Sequence, residues 1–178
     1  MLSAPAILAA GAGLDTEEIG HLVSAGGIIG AVFILVAGWN SDRHGDRLRD
    51  AFVCTIAIAI GIGLIATGAT PGLVITGYLL FAAFNFTQGV LLVSSYADVM
   101  PVRQLAVGCG AINTLWQLGA FVAPFAFGAA KDATGNYRAG LLGSAILAFA
   151  LAAYLLYVRH RVTARREARI LDAAALAI

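Results

Sequence analysis

Charge is missing from most of this chain. Ile19–Ser41 contains no Asp, Glu, Lys or Arg and a single histidine, and Ala51–Ala97, Gln104–Ala130 and Ala139–Val158 contain no charged residue at all. A helix crosses the hydrocarbon core of a bilayer with about 20 mostly apolar residues, so these runs supply one, two, one and one crossings. Residues 1–10, MLSAPAILAA, are apolar but too short to cross, and are expected to be the end of another helix. The expected fold is therefore all-α: a polytopic membrane helix bundle with five complete transmembrane helices plus the end of a sixth.

Composition agrees. The chain is 60% hydrophobic and 12% charged, against roughly 45–50% apolar and about 25% charged in soluble domains. A net charge of +1 excludes little, because in a membrane protein the placement of charge says more than its sum. No basic patch marks a nucleic-acid interface, so nucleic acid is not an expected partner. Cys54 and Cys109 each sit in an apolar run with no Cys, His or acidic neighbour at metal-ligand spacing, and read as small packing residues. No metal or other cofactor is expected. The first ten residues lack a positive n-region and run into the acidic DTEE, so they do not read as a cleaved signal peptide. His21, His44 and His160 lie near membrane edges without carboxylates at catalytic spacing, and no enzyme is expected. GIGLIA, Gly61–Ala66, superficially resembles a dinucleotide fingerprint, but it falls mid-span rather than after a strand.

The breaks between spans have their own chemistry. Thr70-Pro71-Gly72 divides the longest charge-free run, Pro101 and Arg103 mark the next break, and KDATGNYR, Lys131–Arg138, the last. The helices are thus expected near Glu17–Trp39, Asp50–Thr67, Leu73–Asp98, Gln104–Ala130 and Tyr137–Arg159, with neighbours antiparallel. Alternating the connections between two sides puts nine basic residues (Arg43, Arg47, Arg49, Arg103, Arg159, Arg161, Arg165, Arg166 and Arg169) on one side, and only Lys131 and Arg138 on the other. The positive-inside rule makes the first side cytoplasmic, with the C-terminus inside. Residues 1–160 form the membrane domain and 161–178 a basic cytoplasmic tail, in which RHRVTARREAR is expected to continue as a helix along the membrane surface. Arginine outnumbers lysine ten to one, a bias common in GC-rich bacteria, which suggests a bacterial inner membrane.

Glycines inside the spans, among them Gly26 and Gly30, Gly61 and Gly63, Gly108 and Gly110, and Gly140 and Gly143, are expected to let helices pack closely. Lipid supplies no hydrophobic drive between helices, so close backbone contact has to hold them together.

Most of the mid-chain charge sits in one stretch, GWNSDRHGDRLRD, Gly38–Asp50. It resembles the cytoplasmic-loop signature of the major facilitator superfamily, G-x-x-x-D-R-x-G-R-[RK], through Gly38, Asp42, Arg43, Gly45 and Arg47. Asp46 replaces the first basic residue of the closing pair; with Trp39 and Ser41 it is similar to the version found in anion:cation symporters. A second stretch, Ala111–Gly143, resembles the eleventh helix, outer loop and start of the twelfth in those symporters, through Asn113, Gly119, Phe121, Pro124, Gly128, Lys131, Asp132, Thr134, Gly135 and Tyr137. The third span departs from the family: Leu92-Val93-Ser94-Ser95-Tyr96 stands where an aromatic pair and a proline are expected.

The resemblance implies one six-helix half of a two-half transporter, beginning inside the seventh helix. It implies a small organic anion as substrate, a carboxylate or sugar acid, and a coupling cation, most often a proton. The lipid bilayer and a missing N-terminal six-helix half, or a second copy of the chain, are the implied partners. A half-transporter assembly partner and an inactive truncated remnant are the alternatives. In the loop, Gly38 would allow close helix approach, Gly45 a tight turn, and Asp42 a contact with a helix N-terminus in the opposing half. Arg43, Arg47 and Arg49 would bind headgroups and pair with Asp46 and Asp50. Simple positive-inside anchoring is the competing explanation for the same charges. Candidate substrate contacts are the intramembrane amides: Asn113 and Gln117, four apart on one helix face, and Asn85 and Gln88, three apart on another. Each could equally bond a neighbouring helix; Asn113 is favoured because it falls where the resemblance implies a polar side chain facing substrate. Trp116 is expected to pack at a helix interface.

Overall fold

The computed structural model describes residues 4–175, all of whose regular elements are α-helices. Five of them are long and apolar enough to cross a membrane. Helix α1 is the short Ala4–Ala12; α2 spans Thr16–His44, α3 Arg47–Thr67, α4 Pro71–Val99, α5 Val102–Thr134 and α6 Arg138–Ala175.

Local chemistry explains the boundaries. Asp15 opens α2 with a capping box: its carboxylate accepts the Glu18 N–H at 2.8 Å, while its own N–H donates to the Glu18 carboxylate at 3.0 Å. Thr70 caps α4, with Pro71 in the first turn, where a missing N–H costs nothing. Helices α2, α3 and α5 end on Gly45, Gly68 and Gly135, all in the left-handed region.

Two ends lie further along than the charge pattern suggests. Helix α2 continues through Asn40–His44, and α5 through Lys131–Thr134. Polar residues do not stop a helix that has reached the membrane edge, and Arg43, His44 and Lys131 complement the negative ends of their helix dipoles. The stop comes from the following glycine. Helix α6 likewise runs unbroken past residue 160 into the basic tail. The side chains of Arg165, Arg166 and Arg169, expected on the membrane surface, lie outside the described residues.

Helix α3 occupies the centre, packed against α4 on one side and α6 on the other, while α2 packs on α4 and α1 lies across α2 and α4. Leu48, Ala51, Cys54, Leu91 and Leu155 join α3, α4 and α6 near the charged loop. Ile58, Ile62, Ala66, Leu141 and Ala145 join α3 to α6 further along, and Leu8, Ile19, Val74, Tyr78 and Ala82 fasten α1 and α2 to α4. At the α3–α4 crossing two backbones touch: a Cβ on Gly61 would lie 2.8 Å from the Gly77 carbonyl oxygen, and one on Gly77 2.7 Å from that of Gly61. Gly26 and Gly30 bring α2 onto Ala82 in the same way, whereas Gly63, Gly110 and Gly143 face open space.

Helix α5 is the exception. None of its residues is buried, and Val107, Leu115, Phe121 and Phe125 are each about two-thirds exposed or more. It touches the bundle where large side chains meet glycines. The Trp116 ring lies over Gly89 of α4, 3.1 Å from where a Cβ would be, and Phe127 lies over Gly140 of α6.

Candidate functional site

The charged stretch folds into the end of α2, a one-glycine turn and the cap of α3. Gly45 makes the turn with φ 68°, as expected of it. Asp46 accepts the Arg49 N–H at 3.0 Å and so caps α3. Its other oxygen receives Arg159 Nε at 2.8 Å, from the middle of α6. The acidic departure from the superfamily signature thus has a structural use: one carboxylate starts α3 and ties down α6.

The remaining pairings correct the expectation that the arginines would pair with Asp46 and Asp50. Arg47 donates to Asp42 at 3.3 Å and to the Ser94 carbonyl at 3.4 Å, linking α3 to the end of α4. Asp50 accepts from Asn40 at 3.4 Å, and Arg43 lies over the Trp39 ring, 5.3 Å from its centroid. The physical reason is helical geometry: with α2 helical through His44, Arg43 stacks on the residue one turn back, and Arg47 reaches across the turn. Asp42 keeps 74% of its side chain exposed, and a Cβ at Gly38 would meet nothing within 4 Å. Both positions are therefore open on their outward side.

The amides divide. Gln88 donates to the Thr55 hydroxyl, which in turn donates to the Ala51 carbonyl at 2.7 Å; this chain ties α4 to α3 inside the bundle. Asn85 is half-buried on α4, one turn from Gly89. Asn113 and Gln117 are exposed on α5, on either side of Trp116. Because Trp116 rests on Gly89, it brings Asn113, Gln117 and Asn85 within about a turn of a single α4–α5 contact. Trp116 packs at a helix interface, as its sequence context suggests, and remains 51% exposed. The Asp46–Arg159 pair and the Thr55–Gln88 bond have no sequence signal, since both join residues far apart in the chain.

These features, a glycine-hinged charged loop between two spans and uncharged amides beside a loosely held helix, can be compared with known proteins. The family model described as Major Facilitator Superfamily matches residues 1–176. The chain belongs to that superfamily. Two proteins of Agrobacterium vitis carrying the name "Putative tartrate transporter" are 31% and 29% identical to it, over 79% and 72% of this chain but 33% and 30% of their own length. A "Quinolone resistance transporter" of Acinetobacter baumannii is 26% identical over 87% of this chain and 36% of its own. The chain thus spans about a third of the length of the curated relatives it matches. No solved structure matches it. As a facilitator-superfamily protein with five candidate spans, it is a multi-pass membrane protein of a transporter family.

Proposed function

We propose that this chain forms the C-terminal half of a secondary transporter that moves a small organic anion, a carboxylate or sugar acid, by alternating access coupled to a cation, in the manner of the anion:cation symporters. The observation that carries this reading is the exposed Asn113, held beside the Trp116–Gly89 contact with Gln117 and Asn85 nearby. An amide in the membrane is costly unless it finds a partner, and secondary transporters bind substrate near the midplane, where their two repeats meet. Amides both donate and accept, which suits the hydroxyl and carboxyl oxygens of such an anion. The relatives named for tartrate fit that class. Gln88 is the weaker contact, because Thr55 already holds it.

A second six-helix unit, or a second copy of this chain, completes the path in this proposal. The exposed apolar face of α5, with Ile28, Leu35 and Val36 of α2, gives it surface to pack against. Gly38 and Asp42, open on their outward side, are where its helix end would arrive, and Arg43 and Arg47 would hold the loop in place. Contacts made in one state and broken in the other bias the equilibrium between outward-open and inward-open forms. The proton is the simplest coupling ion. In this reading the loop and the C-terminus face the cytoplasm across the inner membrane, which the distribution of arginines supports.

Uptake of tartrate into native membrane vesicles under a pH gradient tests the site. Asn113→Ala lowers uptake at least about tenfold with protein level unchanged, a loss of about 1.4 kcal/mol of transition-state binding; unchanged uptake overturns the assignment. Proteoliposomes holding this polypeptide alone take up no tartrate in response to the gradient, and robust uptake there removes the need for a second unit.

A further inference from the structure

A cavity of about 340 Å³ opens at the end of the bundle opposite the charged loop, between α1, the end of α3, the α5–α6 turn and the start of α6. Its floor is apolar: Ile7, Ile65 and Leu141 line it, and all three belong to or pack on the α3–α6 core cluster. Its rim carries Lys131 and Arg138. Of the eleven basic residues in the chain, these are the two that the alternation of connections places on this face. The positive-inside rule gathers Lys and Arg on the other side, so topology does not account for these two lining one cavity.

The rim is built, not loose. Lys131 Nζ donates to the Tyr137 hydroxyl at 3.1 Å and lies 4.6 Å from the centroid of its ring. The Asn136 side-chain oxygen accepts the Arg138 N–H at 2.9 Å, and Gly135 makes the turn between the helices with φ 74°. Among the described residues, neither cation pairs with a carboxylate. Arg138 also opens α6, whose N–H groups favour negative charge.

We infer that this cleft binds an oxyanion carrying an apolar portion, with Lys131 and Arg138 holding the carboxylate or phosphate and Ile7, Ile65 and Leu141 receiving the apolar part. A guanidinium and an ammonium suit such a headgroup, the first as a two-pronged donor and the second as a point charge. The volume suits a small ligand or one lipid headgroup with the start of its chain. The same chemistry is offered by an anionic phospholipid of the surrounding leaflet and by a free amphiphilic carboxylate.

The test has one arm for each source. The purified full chain in neutral detergent is offered phosphatidylglycerol or phosphatidylcholine and read by native mass spectrometry; in parallel it is titrated calorimetrically with octanoate or octanol. Retention of phosphatidylglycerol over phosphatidylcholine identifies a lipid site, and binding of octanoate but not octanol a site for a free anion; either supports the inference. In both arms the double variant Lys131→Gln with Arg138→Gln binds at least about tenfold more weakly, while Lys131→Arg and Arg138→Lys keep binding and show that the fold survives. Asn113→Ala leaves this binding unchanged, which separates it from the transport site. Failure of both anions to bind, or binding equal in wild type and the double glutamine variant, overturns the inference.

Discussion

Helices α3 and α5 are both apolar spans of one bundle, yet they are used in opposite ways. Helix α3 buries residues from Leu48 to Ala66 and packs on both of its sides, while α5 buries none and touches its neighbours through Trp116 and Phe127 set over glycines. In water such a helix would be an aggregation hazard; in lipid an exposed apolar face carries no penalty. The difference therefore separates two roles. Helix α3 holds the bundle together, and α5 is free to present polar side chains to something outside it. The polar groups follow the same division: Thr55 and Gln88 satisfy each other inside, whereas Asn113 and Gln117 face outward.

Glycine substitutions break this comparison most sharply. Gly61→Ala drives a methyl group against the Gly77 backbone, which cannot move aside, and is expected to cost about 2 kcal/mol, seen as a lower detergent-melting midpoint and less folded protein. Gly119→Ala, on α5 with nothing within 4 Å of the new carbon, is expected to be neutral or to raise helix stability by up to about 1 kcal/mol. Equal losses at both positions would show α5 packed as tightly as α3.

The charged loop gives the next largest effect. Asp46→Ala removes the α3 cap and the partner of Arg159 together, and is expected to cost about 1–2 kcal/mol. Asp46→Asn keeps the cap and loses only the charge, so it recovers most of that cost. Asp42→Ala, whose carboxylate is mostly exposed, is expected to change stability by less than about 0.5 kcal/mol yet to slow tartrate uptake in native vesicles. Loss of stability at Asp42 equal to that at Asp46 would assign both to holding the fold. Thr55→Val, which leaves Gln88 without its acceptor, is expected to cost about 1 kcal/mol, while Asn113→Ala on α5 gives the smallest stability effect and leaves the melting midpoint unmoved.

Much of this architecture is legible in the sequence. Charge-free runs fixed the number of spans, and Pro71, Gly45 and Gly135 sit at real helix boundaries. The ends of α2 and α5 were less legible, because charge marks the edge of the membrane rather than the end of a helix. Gly61 and Gly63 look alike in sequence, but 3.6 residues per turn set only Gly61 against α4. Gln88 and Asn113 look alike as well, and only the position of Thr55 one helix away distinguishes a structural amide from an outward-facing one. The Asp46–Arg159 pair joins residues 113 positions apart, and no local pattern encodes a contact of that range.

The chain carries its own reporters for the contrast between the two helices. Cys54 is buried in α3; Cys109 is half-buried on α5, one turn before Asn113 and two before Gln117 on the same face. In native membranes a small membrane-permeant maleimide should label Cys109 much faster than Cys54, and saturating tartrate should slow Cys109 several-fold while leaving Cys54 unchanged. Labelling of Cys109 at the same rate with and without tartrate, in vesicles that transport it, would contradict the placement of the substrate on α5.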